Sequence, residues 1–372
     1  MRTYNQLTIS LFSLVMVLLG GPALGQTDSL TQPKKVKKIP QKVATAKPLF
    51  ATDDVLSLTL AARMQPIIRD RTPLKKGETG KDHPALLTVM DDDGQAVQMP
   101  VQLQVRGNFR LSSSNCDFPP LYLNLPKQAA KGTPFARQSK LKLITHCISD
   151  DYVVREYLVY RAYTLLTDLS YRARLAQVTY ADSAKKGNSI TRWAVLLEDI
   201  DDVAKRNGAT AFKNRYRAER CDTLSMAMVG IFQYLIGNTD WSVVYRHNIR
   251  LLTDSTHARP MPIPYDFDHS GLVGTPYAMP AQQVDITSVR ERIYRGPLYP
   301  TDVLSQVAAR FMAVKPQLYA LYESEKHIDR TYLRKTIAYL DEFYAIISDP
   351  KQVNAVFRNP DRSGVQIKGL NR

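Results

Sequence analysis

The chain has 372 residues, 44% of them hydrophobic, which is length and apolar content enough to bury a full core as one two-part unit or two small domains. Fifty Lys and Arg against 35 Asp and Glu give a formal net charge of +15, an excess that speeds encounters with anionic partners such as nucleotides, acidic polymers or lipid surfaces. No nucleic-acid recognition motif accompanies the charge, so nucleic acid is excluded as a partner.

Residues 1–25 carry one charge, Arg2, then an apolar run from Leu11 to Leu19 and the small-residue exit Ala23-Leu24-Gly25. This pattern predicts a secretory signal peptide, too short for a membrane span. Gln26 rather than Cys follows, so no lipid anchor is indicated. Residues 26–48 hold Lys34, Lys35, Lys37, Lys38, Lys42 and Lys47 against Asp28, with Pro33, Pro40 and Pro48 interrupting any helix. They predict a disordered basic linker. The protein is therefore expected in the periplasm or medium, with no stable membrane span once the signal is cleaved. In such an oxidising compartment Cys116 and Cys147, which both flank predicted strands, are expected to pair and leave Cys221 free. No cysteine pair shows the spacing of a zinc site.

Residues 53–145 read as antiparallel strands. Val97, Met99, Val101, Leu103 and Val105 alternate with other residues at the period of a half-buried strand, and Asp91-Asp92-Asp93-Gly94 before them forms a solvated hairpin turn. Leu121 to Leu125 and Lys140 to Ile144 continue the sheet. From Asp151 to about Leu169 the period becomes helical, with Val154, Leu158, Ala162 and Leu165 on one stripe and Asp150 or Asp151 as cap. Strands follow at Ala173 to Tyr180 and Trp193 to Leu197. A helix opens at Asp222-Thr223 and runs to Ile236, and helical periodicity dominates beyond residue 300, with a stop at Asp349-Pro350. The fold class predicted is α+β, β-rich first and mainly helical after.

Chemistry concentrates in two polar knots. An apolar run ends in Asn238, Asp240, His247 and Asn248, and after two short apolar strands come Asp266 and Asp268. Two like charges at the end of a strand repel unless a cation sits between them, which points to a metal site. Lys140 and Lys142 share one face of their strand, and Glu156 lies on the next helix, so a lysine–glutamate pair of the kind that fixes a lysine on nucleotide phosphates is available. Arg106-Gly107-Asn108-Phe109-Arg110 ends the long strand, where two arginines could clamp an anion. Leu196 to Asp202 is either a hinge facing a flat base or a helix-cap cluster. Arg290, Arg292 and Arg295 suggest a segment that reads an acidic or phosphorylated acceptor.

Together these segments resemble the spore coat protein H (CotH) kinase-like family, atypical members of the protein-kinase-like superfamily. The resemblance is carried by Arg106-Gly107-Asn108, the Lys-Leu-Lys-Leu strand at 140–143, the helix with Glu156, Leu197-Glu198-Asp199-Ile200-Asp201, Ile236-Gly237-Asn238-Thr239-Asp240-Trp241 with His247-Asn248, and Tyr265-Asp266-Phe267-Asp268. It implies a bilobal kinase-like fold, with residues 49–200 as a β-rich N-lobe holding one inserted helix and 201–372 as a helical C-lobe. It also implies roles: Lys142 or Lys140 on phosphate beside Arg106, Glu156 as the lysine's partner, the Glu198 segment as hinge, Asp240 as catalytic base, and Asn248, Asp266 and Asp268 on the metal. Magnesium or manganese and ATP are the expected cofactor and co-substrate, and an exported acidic protein or glycan is the expected acceptor. The spacing of Asp240 and Asn248 departs from protein kinases, which place the metal-binding Asn five residues after the base, and no glycine-rich phosphate loop is present. A catalytically inactive binding or scaffold protein of the envelope and a metal-dependent hydrolase are the alternatives.

Overall fold

The computed structural model describes residues 47–358 except 74–77, 79 and 186. The expected signal peptide, and the linker up to its last two residues, lie outside the described residues. Those last two are folded: Pro48 opens a 3₁₀ turn, Pro48–Phe50, and Lys47 pairs with Asp202.

The chain continues through β1 (Leu56–Ala62), α1 (Met64–Arg69), β2 (Asp82–Met90), β3 (Ala96–Val105), β4 (Leu121–Asn124) and β5 (Lys140–Ile144). Next come α2 (Asp150–Leu166), β6 (Ala173–Asp182), β7 (Ser189–Leu197), α3 (Ile200–Arg206), β8 (Thr210–Phe212) and α4 (Thr223–Leu235). The last elements are β9 (Ile249–Thr253), β10 (Met261–Pro264), α5 (Thr301–Glu323), α6 (Arg330–Ile347) and α7 (Pro350–Val353). The Asp91–Gly94 turn is the solvated kind: Asp91 Oδ1 accepts from the backbone N–H groups of Asp93 and Gln95, and Gly94 takes φ +76°.

Neighbouring strands pair in the order β1-β2-β3-β4-β5-β7-β6, and β6 returns to β1 to close a seven-stranded barrel. All pairs are antiparallel except this closing one, which is parallel and sets Leu60 opposite Tyr180. Alternate residues fill the interior, among them Leu60, Leu87, Met99, Leu123, Leu143 and Leu196, each almost wholly buried. Each such leucine contributes roughly 1.5–3 kcal/mol by leaving water.

Where α2 lies across them, the ends of β7 and β6 are buried on the outer face as well. Ala194 and Leu196 point into the barrel while Val195 and Leu197 join the second apolar cluster with α2, α4, α5 and α6. Burial on both faces accounts for the unbroken apolar run Ala194–Leu197. Ser149 caps α2 by accepting from the Asp151 N–H, one residue before the expected Asp150 or Asp151. Beyond α3, a three-stranded sheet ordered β10-β9-β8 packs with the helices.

The bilobal kinase-like fold expected from the resemblance is therefore corrected. The strands form a closed, mixed seven-stranded barrel, seven helices occur among the described residues, and strands β8 to β10 continue into the half expected to be helical. What holds is mixed α+β content. The physical reason is the β1–β6 pairing, which joins segments more than 100 residues apart and removes the free sheet edges. The described residues belong to one compact unit, and no helix among them is long and apolar enough to cross a membrane.

Cys116 and Cys147 are joined, with Cα atoms 4.7 Å apart, beside the isolated bridge between Phe118 and Cys147; Cys221 is buried and free. The bond closes a loop with a sequence separation of 31. On chain-entropy grounds, replacing both Cys116 and Cys147 by Ser should lower unfolding stability by about 3–4 kcal/mol. Urea unfolding of the double variant checks this, and an unchanged midpoint would contradict it.

Candidate functional site

A cavity of about 370 Å³ opens where the outer wall of the barrel meets three loops. Arg106 to Arg110 arrive from the end of β3, Tyr122 and Lys142 from β4 and β5, Asp240 from the loop after α4, Arg246 to Asn248 from the approach to β9, and Asp266, Asp268 and His269 from the loop after β10. Of the nine residues expected at a site, Arg106, Lys142, Asp240, Asn248, Asp266 and Asp268 line this one cavity.

The loop bearing Asp240 is fixed from several sides. Gly237 sits at φ +65° where a Cβ would collide with the Tyr339 hydroxyl and the Val289 carbonyl, so only glycine fits. The Asp240 N–H donates to Asn238 Oδ1 at 2.9 Å, and Asn238 Nδ2 donates to Gln233 Oε1 at 2.9 Å in the core. Asn248 then returns to Asp240 despite the longer spacing. Ser242 and His247 exchange both backbone hydrogen bonds at 2.9 Å, and Arg246 takes φ +53°, so the extra residues are stored in a tight turn. Asn248 Nδ2 donates to the Asp240 carbonyl at 2.8 Å and to Oδ2 at 3.0 Å, while His247 Nε2 lies 2.7 Å from Oδ1. That hydrogen bond and the Asp240 charge hold the His247 imidazole above its ordinary pKa, against partial burial.

Asp266 follows the buried strand β10 in a left-handed conformation, φ +64°, which aspartate tolerates better than most residues. Its N–H donates to Tyr160 Oη at 2.8 Å, and Phe267 anchors the turn against the Tyr160 and Phe232 rings. No donor among the described residues reaches the Asp266 carboxylate. Asn248 Oδ1 is likewise uncommitted, because both of its amide's hydrogen bonds leave from Nδ2. These two oxygens could hold a hard cation. No group of three or more His, Cys, Asp or Glu among the described residues is placed to hold a metal by itself.

Asp268 is occupied otherwise. Its Oδ2 receives Arg110 Nη2 at 2.8 Å and Tyr277 Oη at 2.9 Å, and the same Arg110 Nη2 lies 3.2 Å from Glu156 Oε2. Burial alone would raise the Asp268 pKa, but Arg110, His269 and Tyr277 outweigh it and hold the carboxyl below its usual range. Burial pushes the Glu156 carboxyl up, against the pull of Arg110. The expected lysine–glutamate pair is thus not formed: Glu156 pairs with Arg110. Arg110 is the residue that sequence reasoning placed only as an anion clamp.

Lys142 stands on the outer face of β5 with its ammonium 4.5 Å from the Tyr265 ring centre; Arg250 lies 4.6 Å from the same ring. Burial and the Arg106 guanidinium bring the Lys142 pKa down to about 7, against the attraction of Asp266. Lys140, two residues earlier, is exposed, donates to Gln104 Oε1 at 3.1 Å and lies over Tyr122 outside the cavity. Glu198 is buried away from it, accepting from Arg206 Nε at 3.1 Å and from the Arg172 N–H at 3.0 Å. Of the two readings of its segment, the helix cap is realised: Asp199 caps α3. Arg290, Arg292 and Arg295 are struts, donating to the carbonyls of Gly271, of Leu235 and Tyr339, and of Thr239 and Trp241. Arg292 and Arg295 are half-buried by these contacts, while Arg290 remains exposed.

The cavity thus brings together the cationic side chains of Arg106, Lys142, Arg246 and Arg250, the hydrogen-bonded Asp240 carboxylate, and two side-chain oxygen groups, on Asn248 and Asp266, that take no hydrogen bond from the described residues. No protein-family model matches the chain, and no curated protein matches its sequence.

A lysine at about pKa 7 when folded, and about 10.4 when unfolded, binds fewer protons in the folded state, so its charge opposes folding at pH 7 and below and the penalty fades as pH rises toward 10. Lys142→Met should therefore raise the melting temperature at pH 7, and the gain should shrink with rising pH. Melting curves across that range test this; a fall in melting temperature at pH 7 would contradict it.

Proposed function

We propose that the cavity is the active site of a divalent-metal-dependent phosphotransferase that moves the terminal phosphoryl group of a nucleoside triphosphate to a hydroxyl of an exported acceptor. The observation that carries this reading is the uncommitted Asp266 carboxylate and Asn248 Oδ1 beside Asp240, across a cavity that also holds Lys142, Arg106 and Arg250. The activity, though not the fold, follows the resemblance to the CotH kinase-like family, whose motifs at Arg106, Lys142, Asp240, Asn248 and Asp266 meet at this cavity. The pairing of Cys116 with Cys147 supports export.

Asn248 and Asp266 offer hard oxygen ligands, which fits a magnesium or manganese ion that completes its shell with phosphate oxygens and water. When bound, such an ion neutralises the charge on the transferring phosphate. Lys142 and Arg106 hold phosphate oxygens, and a bound phosphate raises the Lys142 pKa, so nucleotide binding takes up protons above pH 7. Asp240 accepts the hydroxyl proton while the acceptor oxygen bonds to phosphorus and the bond to the diphosphate oxygen breaks. His247 and Asn248 orient its carboxylate and leave lone pairs for that proton.

A base acts mainly in the transition state, whereas a metal-holding carboxylate organises the bound nucleotide beforehand. Asp240→Asn should lower transfer by at least about 100-fold and leave metal–nucleotide affinity nearly intact. Asp266→Asn should weaken both. Transfer assays paired with nucleotide titrations check this, and wild-type behaviour of both variants would remove the assignment.

A further inference from the structure

A second hollow, of about 410 Å³, is lined by Arg215, Tyr216, Arg217, Arg220 and Val244. It shares a wall with the cavity: Val244 belongs to the Ser242–His247 turn, whose far end supplies Arg246 and His247 to the cavity. Arg246 Nη1 also donates to the Lys213 carbonyl at 2.5 Å, which ties the arginine segment to that turn. We propose that this hollow docks the acceptor, and that the acceptor is an acidic peptide segment whose hydroxyl-bearing residue reaches Asp240. The proposal rests on the phosphotransfer reading of the cavity and names the substrate class.

The charge is concentrated. Between residues 213 and 220, Lys213, Arg215, Arg217 and Arg220 stand against the single acid Glu219. Arg215 and Arg220 are exposed, and neither is paired with an acid among the described residues. They differ from Arg292, which pairs with Glu342 and donates to the Leu235 and Tyr339 carbonyls, and from Arg295, which donates to the Thr239 and Trp241 carbonyls. Guanidinium forks match carboxylates in geometry, and at an exposed site they supply orientation and encounter rate as well as affinity. The hollow is not purely cationic. Tyr216 and Val244 line it, and Tyr245, the next residue of the turn, is 60% exposed. Apolar and aromatic surface among arginines suits a chain that interleaves acidic and apolar side chains, which favours a peptide over an acidic polysaccharide.

The test measures fluorescence anisotropy of a labelled peptide of repeated Glu-Ser-Leu units with the full chain, at low and physiological salt and without nucleotide. The expected result is saturable binding that weakens with salt and weakens by at least about tenfold in the Arg215→Glu, Arg220→Glu double variant. The double variant should keep the wild-type melting temperature and metal–nucleotide affinity, and Asp240→Asn should keep peptide binding. Three results would overturn the proposal: no peptide binding by the wild type, equal binding by the double variant, or tighter binding of polygalacturonate than of the peptide. Peptide binding with no nucleotide-dependent labelling of the serines would leave the docking site standing and remove the phosphotransfer reading beneath it.

Discussion

The buried contact of Arg110 with both Asp268 and Glu156 joins three parts of the molecule that are remote in sequence. Arg110 comes from the loop after β3, Glu156 from α2 and Asp268 from the loop after β10. Taking such charges out of water is costly, and the cost is recovered only when every member is paired; removing one partner of a buried set typically costs about 3–5 kcal/mol. Two carboxyls share one guanidinium here, and they divide their protons unequally. Asp268, with the shorter contact and the Tyr277 hydroxyl, holds the negative charge, while burial favours the protonated form of Glu156. The consequence for the cavity is geometric. The contact that brings the Arg106–Arg110 loop against α2 also ties it to the turn carrying Asp266, which Tyr160 and Phe267 fix from the other direction.

The cavity itself stores unfavourable terms. Burial and the Arg106 and Arg250 guanidinium groups disfavour the charged form of Lys142, Asp266 keeps a left-handed backbone, and no donor among the described residues reaches its carboxylate. A bound anion would relieve the first of these, and a cation at the Asp266 carboxylate the last. Stability given up at a site is the usual companion of binding chemistry.

Much of this was legible in the sequence, and what was not has a common physical cause. Alternation over Val97 to Val105 located β3, because a strand with one face in a barrel core keeps the two-residue period. Asp222 as the cap of α4 and the strands ahead of Asp266 were readable because they depend on neighbours along the chain. Of the six residues that meet in the cavity, Asp240, Asn248 and Asp266 were readable as polar groups clustered where apolar segments end, whereas Asp268, of the same appearance, is taken up by Arg110 and Tyr277. Barrel closure was hidden, because β1 meets β6 in parallel across more than 100 residues and no local pattern records that pairing. The partner of Glu156 was hidden for the same reason: Arg110 and Lys142 are both basic, and only the folded geometry chooses between them. The arginines at 292 and 295 show the converse, where composition suggests a ligand surface and the carbonyls they bond lie far along the chain.

The central claim is that Asp266 and Asn248 hold a divalent ion that carries a nucleotide into the cavity beside Lys142. The most direct measurement is a calorimetric titration of the protein with ATP, in magnesium, in manganese and in chelator. Stoichiometric binding that requires the ion, with proton uptake above pH 7 as Lys142 is recharged, is the predicted result. Absence of binding with either ion, or binding indifferent to the chelator, would contradict it.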